Sequence, residues 1–314
     1  MSSEKNKRCP AYRSHWVKDL RADWMLYCLL IPGLIYIIVY HYIPMFGLTY
    51  AFRDYSPVLG AGDWVGTEVF EKMFARRAFR LALTNNIKIS LLKLVFGFPV
   101  PIILSLMINE IRGRRTKKFI QSAIIIPNFL SWFIISGLLF ALFNVTSGTV
   151  TGIIRTINPE AQIVNVLSDK DTIMPVVIIS YVWQASGIGT VVYLAAITSI
   201  DQDLYEAAMI DGAGKWKQMW HITLTSLRPT IITLFIFRIG KLMSACFDQI
   251  FALSNALVQS EIDIIDTYVY RIGMESANFS EATAAGLFTS VIGLVLVLAT
   301  NFLARRLEPD SAVM

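Results

Sequence analysis

Charged side chains are scarce in this sequence. Asp, Glu, Lys and Arg make up 16% of its 314 residues and hydrophobic residues 55%, whereas soluble domains carry about a quarter charged residues. A chain so short of charge cannot cover a globule with solvated side chains, so a lipid-embedded protein is expected. Cysteine is nearly missing. Cys9, Cys28 and Cys246 show no CxxC spacing, and two of them fall in apolar blocks, which indicates neither a disulfide framework nor a zinc site. The histidines His15, His41 and His221 are scattered and form no HExxH pair, so no metal is expected on this chain. There is no GxxxxGK[ST] phosphate loop, and the glycines of SGIGTVV (Gly187, Gly189) lie inside an apolar block, not in a dinucleotide fingerprint. No cofactor is therefore expected on this chain. No nucleophile–base pair or metal-ligand set lies at a common depth, which weighs against a membrane-embedded enzyme. The net charge of +5 does not imply nucleic acid, because the cations flank apolar blocks and form no stripe. No short apolar core with a small-residue cleavage site follows the first residues, so no cleaved signal peptide is expected.

What the chain does have is apolar blocks of about 20 residues, the length that crosses the ~30 Å hydrocarbon core as a helix. Six are expected, at 25–46, 86–108, 119–143, 173–198, 230–253 and 284–303. Pro32-Gly33 and Pro44 interrupt the first, and Pro99 and Pro101 should kink the second. The polar segment 47–84 carries turn signals at Asp54-Tyr55-Ser56-Pro57, Gly60 and Gly62, and its part 67–83 reads as a short amphipathic helix on the membrane surface. The domain reading is a basic tail 1–24, a membrane domain 25–306 with an internal loop 203–229, and a short tail 307–314. The stretch 16–24 is amphipathic: it lies along the bilayer, or it is simply part of a basic cytoplasmic tail.

Loop charges set the orientation. With the N-terminus inside, the inner segments hold six Lys/Arg in the tail, five in the loop 110–118, three in the island (Lys215, Lys217, Arg228) and Arg305-Arg306, sixteen in all. The three outer loops hold eight, of which Arg76, Arg77 and Arg80 cluster in the first. A multi-pass membrane protein with both termini on the cytoplasmic side is expected.

The most structured polar stretch is the island 206–229, EAAMIDGAGKWKQMWHITLTSLRP. Ala207 and Ala208 permit close approach of a docking surface, and Gly212 supplies a backbone geometry that other residues resist. Glu206 and Asp211 offer charge to a partner; Trp216, Met219, Trp220 and Ile222 give an apolar face; Pro229 suits the first turn of the fifth span. The pattern predicts a rigid helix–turn–helix on which a partner can push.

Glu206, Ala207, Ala208, Asp211 and Gly212, followed by Ile222, Leu224, Leu227 and Pro229, resemble the "EAA" loop of binding-protein-dependent ABC importer permeases. The segments 40–57 and 247–274 are similar to the carbohydrate branch that handles oligosaccharides and polysaccharides, including alginate and maltose importer permeases. The resemblance covers nearly the whole chain from about residue 24, with one departure: Thr225 stands where many relatives have proline. It implies an all-α membrane protein of the bacterial cytoplasmic (inner) membrane with the type I ABC importer permease fold, six transmembrane helices with a cytoplasmic coupling helix. The coupling residues would be Glu206, Ala207, Ala208, Asp211, Gly212 and Ala213. Implied partners are a second homologous permease subunit, two ATP-binding subunits that use ATP and Mg, an extracellular substrate-binding lipoprotein or periplasmic binding protein, a carbohydrate substrate and the lipid bilayer, with no nucleic acid.

Ionisable groups inside spans are costly and usually face the protein interior or a cavity. Lys93 is the deepest in the second span, while Lys88 snorkels near an end. In the fifth, Lys241 and Asp248 are seven residues apart and are expected on one helix face with Ser244, with Arg238 nearby. Asn128 and Trp132 in the third span, and Tyr181, Trp183 and Gln184 in the fourth, could stack on and hydrogen-bond a sugar, although Trp and Tyr also belong to interfacial belts. The substrate-path set is Lys93, Asn128, Trp183, Gln184, Lys241 and Asp248. It lines a path, or it packs the spans. A secondary transporter or channel coupled through Lys93, Arg238, Lys241 and Asp248 is the competing reading, although it leaves the island unexplained and no inverted repeat is evident.

Overall fold

The structure is a computed structural model that describes residues 24–58 and 60–307. The basic tail 1–23, with its amphipathic stretch, and the last seven residues lie outside the described residues. The chain divides into two units, residues 1–49 and 50–314. In the first, the helix Trp24–Ile37 runs through Pro32 without ending there and passes into the π-helical turn Ile38–Tyr42 ahead of Pro44.

Four helices are long and apolar enough to cross a membrane: Trp24–Phe52, Arg77–Asn109, Ile173–Thr198 and Phe279–Phe302. Two bent pairs, Arg114–Phe129 with Trp132–Phe143 and Lys215–Ser226 with Arg228–Gly240, raise the number to six among the described residues. These are called here the first to sixth spans in chain order. They carry the expected all-α membrane fold, with three corrections.

The second span is longer than its apolar block. The amphipathic helix stops at Ala75, where Arg76 turns extended (ψ 126°), and Arg77 already begins the helix that continues to Asn109. Residues 77–83 therefore belong to the span. The third span is not straight. Leu130 is extended, Ser131 Oγ accepts the Ile134 N–H at 3.3 Å as a fresh helix cap, and the two halves meet at 101°.

The fifth span breaks too. Its helix Arg228–Gly240 ends at Lys241, and the short helix Phe247–Leu253 starts after Cys246, which has φ 71° in the left-handed region. Lys241 and Asp248 thus sit on opposite sides of a break and share no helix face. The break is held from the second span: Lys93 Nζ donates to Ala245 O at 2.6 Å and Asn86 Nδ2 to Met243 O at 3.1 Å. Non-helical backbone at membrane depth needs such partners for its carbonyls.

Three apolar clusters succeed one another along the second span. Phe79 and Ala82 pack with Met73, Tyr268 and Ala285; Ile89 with Val177, Ile250 and Ile264; Ile108 with Tyr193, Ile197 and Leu227. At the first of these, the antiparallel hairpin Arg53–Ser56/Gly60–Trp64 carries a bulge between Arg53 and Tyr55. Ser280 Oγ uses it, donating to Arg53 O and accepting from Tyr55 N, both at 2.8 Å. Nearby, the buried Glu281 accepts from Tyr268 Oη, from Asn278 Nδ2 at 3.0 Å and from Arg76 at 3.1 Å. Gly187 has a packing role: a Cβ there would lie 2.4 Å from Ile124 O, so the fourth span can approach the third only without a side chain.

Candidate functional site

The island forms as a helix, a turn and a second helical arm. Asp201 Oδ1 caps the helix Gln202–Ile210 by accepting the Asp203 N–H at 3.0 Å. Two bonds close its other end, Gly212 N–H to Met209 O at 3.1 Å and Ala213 N–H to Ala208 O at 2.8 Å. That paired closure is a Schellman motif, and it places Gly212 at φ 75° with open space around a would-be Cβ. Glycine is needed there for its backbone alone.

The second arm runs through Lys215–Gln218 and the π-helical turn Met219–Thr223 to Leu224–Ser226. Gln218 Nε2 donates to Ala213 O at 2.9 Å, and Tyr205 Oη meets Thr223 Oγ1 at 2.9 Å, so the arms are tied at the turn and across the middle. Leu227 is fully buried against Ile108, Tyr193 and Ile197, while Lys215 Nζ reaches Glu110 Oε2 at 2.7 Å. Burying a leucine stabilises by about 2 kcal/mol, whereas the exposed ion pair adds at most ~1 kcal/mol. The apolar anchor therefore decides how the island is seated. Leu227 also keeps its helical bonds on both sides, its N–H to Thr223 O at 3.0 Å and its O from Ile231 N–H at 2.9 Å, through the 56° bend that precedes Pro229. With Thr225 in place, this helix start is intact.

Of the six residues expected to couple, Glu206, Ala207, Asp211 and Gly212 are exposed, and Ala208 and Ala213 half-buried. Beside them Met209 and Ile210 are 58% and 88% exposed, and Trp216 and Trp220 are also exposed. The island thus presents a small-residue surface with apolar neighbours and two carboxylates. Sequence reasoning missed Ile210, although an isoleucine in a polar turn is itself the signal.

The intramembrane residues gather less tidily. Lys93 is the central residue of Arg77–Asn109, about 24 Å from either end at 1.5 Å per residue. It is buried, and its Nζ lies 4.6 Å from the centre of the Tyr181 ring. Arg238 donates to Tyr181 Oη, with its Cζ 5.6 Å from the same ring. A cation at mid-span costs about 3 kcal/mol, and a desolvated cation–π contact returns about 2 kcal/mol. The Ala245 carbonyl freed by the break supplies the remainder for Lys93.

Lys93, Tyr181, Arg238 and Lys241 line a cavity of about 260 Å³ with Ser90 and Cys246. Asn128 joins Arg238 and Lys241 around a second, of about 450 Å³. Asn128 Nδ2 also donates to Gln184 O at 3.3 Å, which brings these two expected residues together through backbone. Trp183 instead lines a separate apolar cavity of about 820 Å³ with Leu92, Phe96 and Ile179. Asp248 is exposed, in the first turn beyond the break, and lines neither polar cavity. Asn86 and Ser90 were missed. Their signal was their spacing, since 86, 90 and 93 fall on one helix face of an otherwise apolar block.

Residues 97–312 match the family described as "Binding-protein-dependent transport system inner membrane component". The chain is 41% identical over 297 residues to "Protein LplB" of Bacillus subtilis (strain 168), covering 94% of this chain and 93% of that protein. It is 41% identical over 283 residues to the "Polygalacturonan/rhamnogalacturonan transport system permease protein YteP" of the same organism, covering 90% and 88%. Among solved structures, a chain of a bacterial ABC transporter involved in the import of the acidic polysaccharide alginate superposes with a TM-score of 0.87 at 36% identity, over 94% of this chain and 100% of that one.

Proposed function

This chain belongs to the family of binding-protein-dependent transport system inner membrane components, and from that membership we propose that it carries half of a saccharide path driven at residues 206–213. The protein is an integral-membrane permease subunit of an ABC importer and acts in transport, not as an enzyme. Relatives named for pectic polysaccharides and alginate support an oligosaccharide or polysaccharide as cargo. Hydrolysis of ATP with Mg belongs to two separate ATP-binding subunits, a second homologous permease completes the path, and an extracellular or periplasmic binding protein delivers the sugar. The membrane is the bacterial cytoplasmic one, with the island and both termini on the cytoplasmic side, in keeping with the loop charges.

One observation carries the coupling role. The island is a braced unit seated by Leu227 on the ends of the second and fourth spans, and it exposes Glu206, Ala207, Asp211 and Gly212. A push on it moves the Arg228–Gly240 helix, whose far end is the break that borders both polar cavities. A cation-coupled secondary transporter would want a carboxylate at the path, and among the described residues none lines either polar cavity.

The test is ATP-driven saccharide uptake in proteoliposomes holding the permease pair and the ATPase, with the binding protein supplied on the substrate side. Glu206→Lys and Gly212→Val should abolish uptake while each complex purifies intact. Unchanged uptake in both variants would overturn the coupling role.

A further inference from the structure

The two polar cavities share Arg238 and Lys241, and Lys93 adds a third cation to the smaller. Among the described residues no Asp or Glu lines either cavity, and none of the three cations makes an ion pair. Their partners are neutral: Ala245 O for Lys93 and Tyr181 Oη for Arg238. The positive charge is therefore held but not cancelled. Lys241 is exposed at the rim. On the wall, Ser90 is 94% buried, and its Oγ has no hydrogen-bond partner in the protein. It lines the same cavity one turn from Lys93, so a polar group entering there would meet a free hydroxyl and three cations. Low dielectric strengthens such attraction relative to water, and it penalises a neutral guest that must displace solvent from the cations without compensating them. Because two cations engage the Tyr181 ring, recognition here runs through charge more than through sugar stacking.

We propose that this cavity binds an anionic saccharide, and that the permease itself, in addition to any protein that delivers the sugar, selects charged chains over neutral ones. The inference rests on the reading of the chain as a saccharide permease. Arg238 and Lys241 take the carboxylate or sulfate oxygens, and Ser90 Oγ takes a ring hydroxyl.

The assembled importer is titrated calorimetrically with trigalacturonate, with its fully methyl-esterified form, which has the same backbone and no charge, and with a sulfated trisaccharide. At least one anionic sugar should bind tenfold or more tighter than the ester, with an advantage that shrinks in high salt. Arg238→Gln/Lys241→Gln, checked for intact assembly, should erase the preference by weakening the anionic sugars to the affinity of the ester. Binding of the uronate alone identifies carboxylate as the group read, and binding of the sulfated sugar alone identifies sulfate. Equal affinity for charged and neutral forms, a preference that survives the double variant, or no binding of any sugar at millimolar concentration overturns the inference. ATP-driven uptake by the same preparation separates the two claims. Uptake without charge preference defeats only the selectivity; no ATP-driven uptake of any saccharide defeats the permease reading beneath it.

Discussion

Tyr205 Oη lies 2.9 Å from Thr223 Oγ1 and joins the two arms of the 206–229 island across the Gly212 turn. The bond is half-buried, and one such bond contributes about 1 kcal/mol. Without it the arms are held together by the turn and by Gln218. Tyr205→Phe removes only the hydroxyl. Sugar imported per ATP hydrolysed should fall up to about fivefold, the equivalent of ~1 kcal/mol, while the ATPase rate stays near that of the parent. An uptake-to-hydrolysis ratio equal to the parent's would show that the brace plays no part in coupling.

Gly212 offers a cleaner separation of backbone from contact. Its φ is 75° and a Cβ would meet nothing within 4 Å, so within this chain the penalty is conformational. Gly212→Ala should cost about 1 kcal/mol of local stability, and Gly212→Val more, because a β-branched side chain resists the left-handed region. The measurement pairs a thermal melt of the purified complex with uptake. Melting within a few degrees of the parent, with uptake falling in the order Gly, Ala, Val, is expected. A Val variant as active as the parent would contradict the turn's role.

The island was legible in the sequence because its determinants are local: the Schellman glycine, the small residues before it and Pro229 after it are all read within two dozen residues. The apolar blocks were legible for the same reason. The break in the fifth span was not. Hydropathy averages over Arg238, Lys241 and Asp248 and gives one apolar block from 230 to 253, yet Cys246 is left-handed, and Asn86 and Lys93, more than 150 residues away, satisfy the carbonyls of Met243 and Ala245 just before it. That break moved Asp248 off the face where spacing had put it with Lys241. The third span teaches a related lesson. Its 101° bend falls at Leu130–Ser131, where a serine cap begins the next helix.

Lys93 should govern the strain stored at that break. A non-glycine residue in the left-handed region costs about 1–2 kcal/mol, and the Lys93–Ala245 bond at 2.6 Å is well placed to hold Cys246 there. Lys93→Met keeps the length and loses the donor. In a background with Cys9 and Cys28 replaced by serine, maleimide labelling of Cys246 should speed up roughly tenfold, matching the loss of ~1.4 kcal/mol from a charged hydrogen bond. Lys93→Arg, which keeps a donor, should label more slowly than Lys93→Met. Equal labelling in parent and Lys93→Met would mean that the break holds without this lysine.

A pH effect should arise outside the spans, at Asp266 in the helix Ile265–Tyr270. Burial raises its pKa above the ordinary carboxylate value, because a partly desolvated carboxyl resists ionisation. The folded pKa thus exceeds the unfolded one. The protonated form favours folding below the unfolded pKa, and that contribution is lost as pH rises through the folded pKa. At neutral pH the parent therefore carries a half-buried charge that Asp266→Asn would not. The variant should melt above the parent at pH 7, and the gap should close as the pH approaches 4. Melts of the two detergent-purified proteins across that range read the difference directly, with every other titrating group common to both. A variant that melts below the parent at pH 7 would show that the charged carboxylate of Asp266 is favoured in the fold, through contacts that outweigh its burial.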